Sequence, residues 1–388
     1  MRRLICLFIV LLLVFPLSAQ LSLSDEARIS LLTCSPSEEA VFTVYGHTAI
    51  RVSDPAHAFD LVFNYGLFDF SKDDFIYRFT KGETDYKLGV THFVNFLDEY
   101  RLRGSGVVEQ QLNLTSGERQ RIWESLQTNL RPENAIYRYN FFFDNCSTRP
   151  AAIVERSVVG EIVYHHEPVQ QTFRQLINYH MRNKPWLIFG CELALGSPAD
   201  RLVTQREAFF LPLLLESAFD EATVVSPGGE ERPLVSVKRV LQEDIPEPVA
   251  KSLFSPPAVS LAALVLVVFL SWLEWRKKTY YLALDCFLFT SAGLAGLVLF
   301  FLAFVSVHPA TSPNYLLLWL HPFHLAGVLL FVVKKGKKAA YCYHFINFAA
   351  LTLMLAGGYF IPQHFNAAFF PLIACLWVRS GRSLLLKV

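Results

Sequence analysis

Residues 141–150 read "FFFDNCSTRP" and contain the cysteine on which the fold prediction rests. The three phenylalanines predict a buried strand, and the Ser/Thr-rich run after Cys146 predicts a helix start. Pro150 lacks a backbone N–H and fits only the first turn of a helix, so we expect Thr148 or Arg149 to be its cap. Cys146 would then lie just before that turn, where the helix dipole favours a thiolate. A nucleophile and a buried structural thiol both fit this position.

A thiol nucleophile needs a base, and a histidine lies on a predicted strand upstream of the cysteine. The stretches with the composition of strands are "ISLLTC" (29–34), "YGHTAIRV" (45–52) and "FDLVFNYG" (59–66). We predict a hairpin that places His47 opposite Asn64 and Arg51 opposite Asp60, because a cross-strand Arg–Asp pair supports that register. The Asn64 amide would hold the imidazole of His47 in the tautomer that serves as base, and Asp60 is the second choice for this role.

The remainder of the N-terminal part alternates between predicted strands and helices. Capping boxes of Ser71 with Asp74 and of Thr115 with Glu118 predict two helix starts. Two further predicted strands are "GVVEQQLNL" (106–114) and "AIYRYNFFF" (135–143). The apolar stretch 205–219 is either core or a surface that rests on a membrane, and we favour core. This order of elements predicts an α+β domain.

The C-terminal third is hydrophobic enough to span a membrane, in a chain whose residues are 53% apolar. From Ala258 onward, five segments approach the roughly 20 residues needed to cross a bilayer. They are 257–273, 280–307, 315–333, 340–361 and 363–378. Lys and Arg residues follow the first, third and fifth segments, whereas the loops after the second and fourth contain neither. By the positive-inside rule, this alternation predicts that the C-terminus is cytoplasmic.

The start of the chain predicts that the domain after it is exported. A basic beginning, an apolar stretch and small residues near Ala19 are typical of a signal peptide, although an uncleaved anchor helix also fits. Either version agrees with the basic loops and puts residues 20–256 outside the cytoplasmic membrane. We therefore predict a signal peptide at 1–19, a periplasmic domain at 20–256 and an inner-membrane bundle of five helices at 257–388.

Three cysteines, Cys34, Cys146 and Cys191, lie in the part that is predicted to be exported. A disulfide between Cys34 and Cys191 would leave Cys146 free, but three free thiols also fit the sequence. The run "HHE" at 165–167 resembles a metal cluster. Neighbouring histidines on an extended stretch point to opposite faces, however, so we expect no metal and no cofactor. The net charge of +1, without a basic patch, gives no indication of nucleic-acid binding.

Four motifs, "YGHTAIRV", "FNYGLFDF", "LNLTSGE" and "FFFDNCSTRP", resemble the periplasmic domain of the bacterial lipoprotein N-acyltransferase Lnb family, in the same order. The hydrophobic C-terminal region resembles that family's transmembrane domain. The resemblance implies a papain-like thiol-enzyme fold that is permuted, with the histidine before the cysteine, as in lecithin retinol acyltransferase. It also implies Cys146 as the nucleophile and His47 as the base. The third catalytic residue is Asn64 by the hairpin argument, with Asp60 second.

The implied reaction is ping-pong acyl transfer. The Cys146 thiolate would attack a phospholipid ester while backbone N–H groups at the helix entry hold the oxyanion. The α-amine of a diacylglyceryl-cysteine apolipoprotein would then take the acyl group, and His47 would remove its proton. Arg149 would hold either a lipid phosphate or a structural carboxylate. The membrane-embedded bundle would keep the site at the surface where both lipid substrates lie.

Other functions also fit the sequence. A membrane-anchored cysteine peptidase or amidase would use the same Cys–His pair on an envelope peptide, and a lipid deacylase would use water as the acceptor. In a non-catalytic envelope sensor, Cys146 would be structural. Neither the donor headgroup, the acyl chain length nor the oligomeric state follows from the sequence.

Overall fold

A computed structural model describes residues 21–37, 43–68, 73–165, 167–245, 254–333 and 337–386. The predicted signal peptide and Ser71 of the first capping box lie outside these ranges. The chain forms a domain of mixed helices and strands, which is followed by five long apolar helices.

Within the described residues, the strands of the N-terminal domain form two antiparallel sheets. The strands are β1 (Arg28–Cys34), β2 (His47–Asp54), β3 (Phe59–Leu67), β4 (Asp85–His92), β5 (Val107–Leu112), β6 (Ile136–Arg138), β7 (Glu161–Val163), β8 (Thr223–Val225), β9 (Glu231–Pro233) and β10 (Val235–Gln242). The larger sheet has the order β10-β5-β1-β2-β3-β4-β6, and the smaller one has the order β7-β8-β9. The central position of β2 and β3 in the larger sheet gives their side chains a rigid support.

The helices of this domain include three with predicted starts, at Ser71, at Thr115 and at Thr148 or Arg149, and others that were not predicted. They are α1 (Phe75–Lys81), α2 (Phe93–Leu102), α3 (Ser116–Leu130), α4 (Pro132–Ala135), α5 (Thr148–Ser157), α6 (Phe173–His180), α7 (Pro185–Ala194) and α8 (Pro212–Glu221). The capping box of Thr115 and Glu118 is present at α3, with both of its hydrogen bonds. Asp74 precedes α1 but its side chain makes no capping bond. The N-cap of α5 is Ser147, one residue before the predicted position, and Cys146 directly precedes it.

Helices cover both faces of the larger sheet. One face packs against α3, α5 and α8, in a cluster of buried side chains that includes Phe63 and Ile122. The other face packs against α2 through Phe96. Adjacent residues of β1 divide between the faces, with Leu31 in the first cluster and Leu32 in the second, as expected for a strand buried on both sides. Each such side chain contributes roughly 1.5–3 kcal/mol on full burial.

The apolar stretch 205–219 belongs to the core, as favoured from the sequence. Phe209 and Phe219 are only 1% and 0% exposed. Pro212 begins α8, at a position where its missing N–H costs nothing. This stretch therefore supports the sheet from inside the domain.

The predicted strand 135–143 is wrong in its second half. β6 ends at Arg138, and the three phenylalanines lie in a turn closed by backbone hydrogen bonds between Asn140 and Asp144. The side-chain oxygen of Asn140 accepts hydrogen bonds from the backbone N–H groups of Phe142 and Phe143, at 3.1 and 3.2 Å. Such a local amide bond competes with strand pairing. The turn, rather than a strand, delivers the chain to Cys146.

The hairpin of β2 and β3 has the predicted strands but not the predicted register. Arg51 lies opposite Val62, a shift of two residues, because residues 55–58 form a longer loop than expected. An even shift keeps every side chain on its predicted face. The Arg51 guanidinium therefore still reaches Asp60, at 2.6 Å across the diagonal of the hairpin.

Five helices long and apolar enough to cross a membrane come next in the described residues, in agreement with the five predicted spans. They are α9 (Pro256–Lys277), α10 (Leu282–Phe304), a third span from Tyr315 to Val332 that contains α11 (Phe323–Val332), α12 (Lys337–Gly357) and α13 (Phe369–Leu386). The chain is therefore a multi-pass membrane protein. The fifth span differs most from its prediction at 363–378, since it begins six residues later and runs eight residues further.

Buried charges explain the position of α13. Arg379 pairs with Glu274 and with Asp285, each at 2.5 Å, and all three side chains are fully buried. Arg382 lies 3.7 Å from the same Glu274 carboxylate. Charges inside a bundle are tolerated when they are paired, so these two arginines belong to the helix and not to a loop after it.

The N-terminal domain is attached to one end of the bundle at two places. The backbone N–H of Val307, which follows α10, donates to the carbonyl of Lys81 at the end of α1 (2.8 Å). The side chain of Asn314 donates to the carbonyl of Leu193 in α7 (2.9 Å). α7 is an apolar helix that is not among the predicted elements. These contacts hold the N-terminal domain against one end of the bundle.

Candidate active site

His47 and Asn64 are in direct contact across the β2–β3 hairpin. Nε2 of His47 lies 2.6 Å from Oδ1 of Asn64. A carbonyl oxygen only accepts hydrogen bonds, so Nε2 carries the proton and Nδ1 is left as the basic nitrogen. The structure thus brings together the two residues that the sequence paired, although on the diagonal of the hairpin.

Cys146 and His47 lie on either side of Gly66. A β-carbon added to Gly66 would lie 3.6 Å from Cβ of Cys146 and 3.8 Å from Cε1 of His47. The backbone of Gly66 has a φ of +107°, which side-chain-bearing residues rarely adopt. The glycine therefore leaves a gap that is bordered by Cβ of Cys146 and by the imidazole of His47.

Asn145 builds the helix entry that carries Cys146. Its buried side-chain oxygen accepts hydrogen bonds from the backbone N–H groups of Ser147 and Thr148, at 2.8 and 2.9 Å. Its amide nitrogen donates to two backbone carbonyls, each at 2.8 Å. Asn145, and not the Ser147 side chain, therefore caps α5. No role was predicted for Asn145, although the preference of Asn for helix caps, just ahead of a predicted helix, points to one.

Two other backbone N–H groups are directed at the sulfur. Those of Thr48 and of Cys146 itself stabilise the Cys146 thiolate and lower its pKa. The first N–H groups of α5 are occupied by Asn145, so they cannot hold an oxyanion. The N–H groups that are directed at the sulfur come from Cys146, on the helix side, and from Thr48, beside His47 on the sheet side.

Burial sets the protonation states of the pair. It raises the pKa of the Cys146 thiol to about 11, against the lowering by the two backbone N–H groups. Burial also lowers the pKa of His47 to about 4, although the bond to Asn64 opposes this. At neutral pH the resting pair is a thiol and a neutral imidazole. The expected thiolate is wrong for the resting site, because desolvation outweighs the field of the helix terminus.

A cavity of about 250 Å³ opens beside the pair. His47 and Asn64 line it together with Leu67 and Phe68, which follow Gly66. The other side chains that line it are mostly polar or charged, among them Ser35, Glu99 and Arg103. The cavity therefore has an apolar side at Leu67 and Phe68, where a hydrocarbon chain would fit, and a polar side opposite.

Arg149 faces away from this cavity. Its Nε and Nη2 atoms donate to the Asp144 carboxylate, at 2.6 and 2.7 Å. Its guanidinium lies 3.5 Å from the centre of the Tyr137 ring. Arg149 lines a separate cavity of about 620 Å³ with Arg156 and Arg206. The guanidinium is thus held by a carboxylate and an aromatic ring of the same domain.

The remaining candidates take no part in the His47–Asn64 contact, although Cys34 lies opposite His47 in the β1–β2 pairing. The Asp60 carboxylate is bound by Arg51, which leaves the contact with His47 to Asn64. Cys34 and Cys191 are free thiols, so no disulfide joins them. Cys34 is buried in β1, and Cys191 contacts the sulfur of Met181.

The "HHE" run has no metal-ligand geometry where the structure describes it. Nε2 of His165 lies 2.9 Å from the hydroxyl oxygen of Thr223, and His166 is outside the described ranges. Among the described residues, no three His, Cys, Asp or Glu side chains come together as metal ligands.

Two family models match the sequence. One describes an Lnb N-terminal periplasmic domain and matches residues 20–179, which include His47, Asn64 and Cys146. The other describes an Lnb transmembrane domain and matches residues 248–388, which include all five membrane helices. No curated protein and no solved structure matches the chain significantly. The two matches do not overlap and together cover most of the chain.

Proposed function

This chain belongs to the Lnb family, and from that premise we propose that it transfers a fatty acyl group from a phospholipid to a lipoprotein. The acceptor is the α-amine of a diacylglyceryl-cysteine, and the acyl group passes through a thioester on Cys146. One observation carries this proposal: Cys146 and the Asn64-bound imidazole of His47 flank Gly66 in a domain fixed to five membrane helices.

The domain is proposed to be a permuted papain-like fold. Its support is the order of the parts: the histidine comes from an early strand of an antiparallel sheet, and the cysteine comes later, at the entry of α5. A thiol at a helix N-terminus with a histidine held by an amide oxygen is the arrangement that thiol acyl-transfer chemistry requires.

In the first half-reaction, Nδ1 of His47 takes the proton of the Cys146 thiol as the sulfur attacks the ester carbonyl of the phospholipid. The N–H groups of Thr48 and Cys146 hold the negative oxygen of the tetrahedral intermediate. The C–O bond of the ester then breaks. The glycerol oxygen leaves with the proton from the imidazolium, which gives a lysophospholipid and an acyl thioester.

In the second half-reaction, the lipoprotein amine attacks the thioester carbonyl and His47 takes a proton from the amine. The C–S bond breaks, the sulfur recovers the proton from the imidazolium, and an amide is formed. Both steps use a neutral imidazole at the start, which agrees with the lowered pKa of His47. No cofactor and no metal takes part in this scheme.

The proposed location is the bacterial inner membrane. The signal peptide at 1–19 and the domain at 20–256 would be on the periplasmic side, with the bundle at 257–388 and a cytoplasmic C-terminus. Arg276 and Lys277, in the last turn of α9, support this orientation, since they would lie at the cytoplasmic surface. The active site would then face the leaflet that contains both lipid substrates.

Arg149 is the least supported member of the proposed site. A lipid phosphate would reach its guanidinium only by displacing Asp144 from a bidentate pair. The pairing favours a role in holding the turn before Cys146 over direct phosphate binding.

A product assay separates this function from its alternatives. The purified protein would be incubated with a phospholipid that carries deuterated acyl chains and with a diacylglyceryl lipopeptide, whose amine is free or acetylated. Acyl transfer to the amine predicts a deuterated amide on the peptide with the free amine and none on the acetylated peptide. The absence of this amide would refute the proposal. Deuterated fatty acid without amide would indicate a deacylase, and a shortened peptide would indicate an amidase or peptidase.

A further inference from the structure

The short helix α1 presents large apolar side chains on its surface. Ile76, Tyr77 and Phe79 are 79%, 56% and 52% exposed. We propose that α1 is a lip inserted in the outer part of the bilayer, which guides an acyl chain of the phospholipid donor to Cys146. The inference rests on the proposed function and names the route of its donor substrate.

The position of α1 against the bundle sets its depth. The ring of Tyr77 packs against Phe301, 6.1 Å between centroids, in the last turn of α10. Nε2 of His308, just beyond α10, donates to the carbonyl of Phe79 at 2.9 Å. With a rise of about 1.5 Å per residue, Phe301 lies about 4.5 Å inside the end of the membrane helix. α1 is thus at the level where aromatic residues meet the lipid headgroups and the first carbons of the chains.

The two basic side chains of α1 are paired with carboxylates of the same domain. Arg78 pairs with Asp85 of β4 at 2.5 Å, and Lys81 pairs with Glu83 at 2.8 Å. The exposed face keeps its apolar side chains, beginning with Ile76. A contiguous apolar surface at membrane depth is covered by hydrocarbon, and the continuity with α10 makes acyl chains its occupant.

Apolar side chains connect α1 to the cavity beside His47. The ring of Phe68 stacks on Phe75, the first residue of α1, at 6.1 Å between centroids. Phe68 and the exposed Leu67 line the cavity that contains His47. An acyl chain lying on α1 would therefore extend its ester end along these two side chains to the gap at Gly66.

Charge placed on the lip tests the route. Ile76→Asp is compared with Val240→Asp, a 56% exposed valine on β10, at the opposite end of the sheet from β4 and β6. Both are placed in nanodiscs of dioleoyl-phosphatidylethanolamine and dioleoyl-phosphatidylglycerol. In Ile76→Asp, the rate of Cys146 acylation by the lipid should fall about tenfold more than the rate of its acylation by the soluble ester p-nitrophenyl butyrate. The inference would be overturned if Ile76→Asp lost the same fraction of its acylation rate with both donors. It would also be overturned if Ile76→Asp and Val240→Asp were acylated by the lipid at the same rate.

A second measurement does not depend on acyl transfer. Ile76→p-benzoylphenylalanine and Val240→p-benzoylphenylalanine are irradiated in the same nanodiscs, and the protein mass is measured. A phospholipid adduct is expected at position 76 and not at position 240. The absence of an adduct at position 76 would overturn the proposal that α1 lies in the bilayer. If the wild-type protein forms no acyl thioester with any donor, the proposed function fails, and the adduct result still decides whether α1 contacts lipid.

Discussion

Nε2 of His47 lies 2.6 Å from Oδ1 of Asn64, on the diagonal of the hairpin and not directly across it. This bond fixes the tautomer in which Nδ1 is the basic nitrogen. It also shows that the amide, and not the Asp60 carboxylate, is the group that holds the imidazole. Burial, and not this bond, keeps the imidazole neutral, since it lowers the pKa of His47 to about 4.

Removal of that amide should weaken the base without unfolding the domain. Asn64→Ala is expected to lower the rate of Cys146 acylation by about 10–100-fold, because the imidazole loses its orienting partner. Asn64→Asp keeps an acceptor oxygen, and its charge should raise the pKa of His47. Asn113→Ala is the control, at a half-buried asparagine outside the site whose side chain donates to the Pro233 carbonyl. Wild-type activity in Asn64→Ala would contradict the role given to this residue.

The lowered pKa of His47 predicts an unusual pH profile. The imidazole must be neutral to accept the thiol proton, so the rate should fall as the pH drops through about 4. The thiol stays protonated up to a pH of about 11, so the rate should be flat from pH 5 to 9. Single-turnover acylation by a short-chain ester measures this profile. An acid limb near the usual histidine value of about 6.5 would contradict the buried neutral pair.

Alanine substitutions at Gly66 and Gly229 separate the effect of backbone strain from the effect of filling the gap beside Cys146 and His47. Both have positive φ angles, +107° and +82°, but nothing lies within 4 Å of a β-carbon on Gly229. Gly66→Ala and Gly229→Ala should each lower the free energy of unfolding by about 1 kcal/mol. Only Gly66→Ala should also lose activity, since its methyl group enters the gap between Cys146 and His47. Thermal unfolding measures stability, and the rate of Cys146 acylation measures activity. Equal activities of Gly66→Ala and Gly229→Ala would show that the gap at Gly66 is not needed for the reaction.

The cap made by Asn145 predicts a large stability effect. Asn145→Ala leaves two N–H groups and two carbonyls without their partner, and it should cost about 2–4 kcal/mol of stability. Ser147→Ala is the matched control, because the N-cap side chain makes no capping bond. Its cost should stay below about 1 kcal/mol. The two variants are compared by the midpoints of their chemical unfolding. Similar midpoints would show that α5 is capped in another way.

Local patterns predicted much of the architecture. The capping box of Thr115 and Glu118 is present because its two hydrogen bonds are made within one turn. The faces of His47 and Asn64 were predicted correctly although the register was not, since a shift of two residues preserves the alternation of a strand. The five spans are predictable from hydropathy alone, because a chain segment in lipid must form its backbone hydrogen bonds internally and therefore has few alternatives to a helix.

Long-range contacts account for the features that were missed. The carbonyl of Phe210, remote in sequence, helps to fix Asn145, and Glu274 and Asp285 hold Arg379 inside the bundle. A window of sequence does not contain such partners. The same holds for the pKa of Cys146, because helix position is local whereas burial depends on the whole fold.

The most direct measurement is the intact mass of the purified protein after incubation with phospholipid. Wild-type protein is compared with Cys146→Ala and with Cys191→Ala, a second half-buried thiol of the same domain whose pKa is also raised to about 11. We predict a hydroxylamine-labile gain of one acyl group in the wild type and in Cys191→Ala, absent in Cys146→Ala and discharged by a diacylglyceryl lipopeptide. An acyl adduct that survives in Cys146→Ala, or no adduct in the wild type, would contradict the thioester.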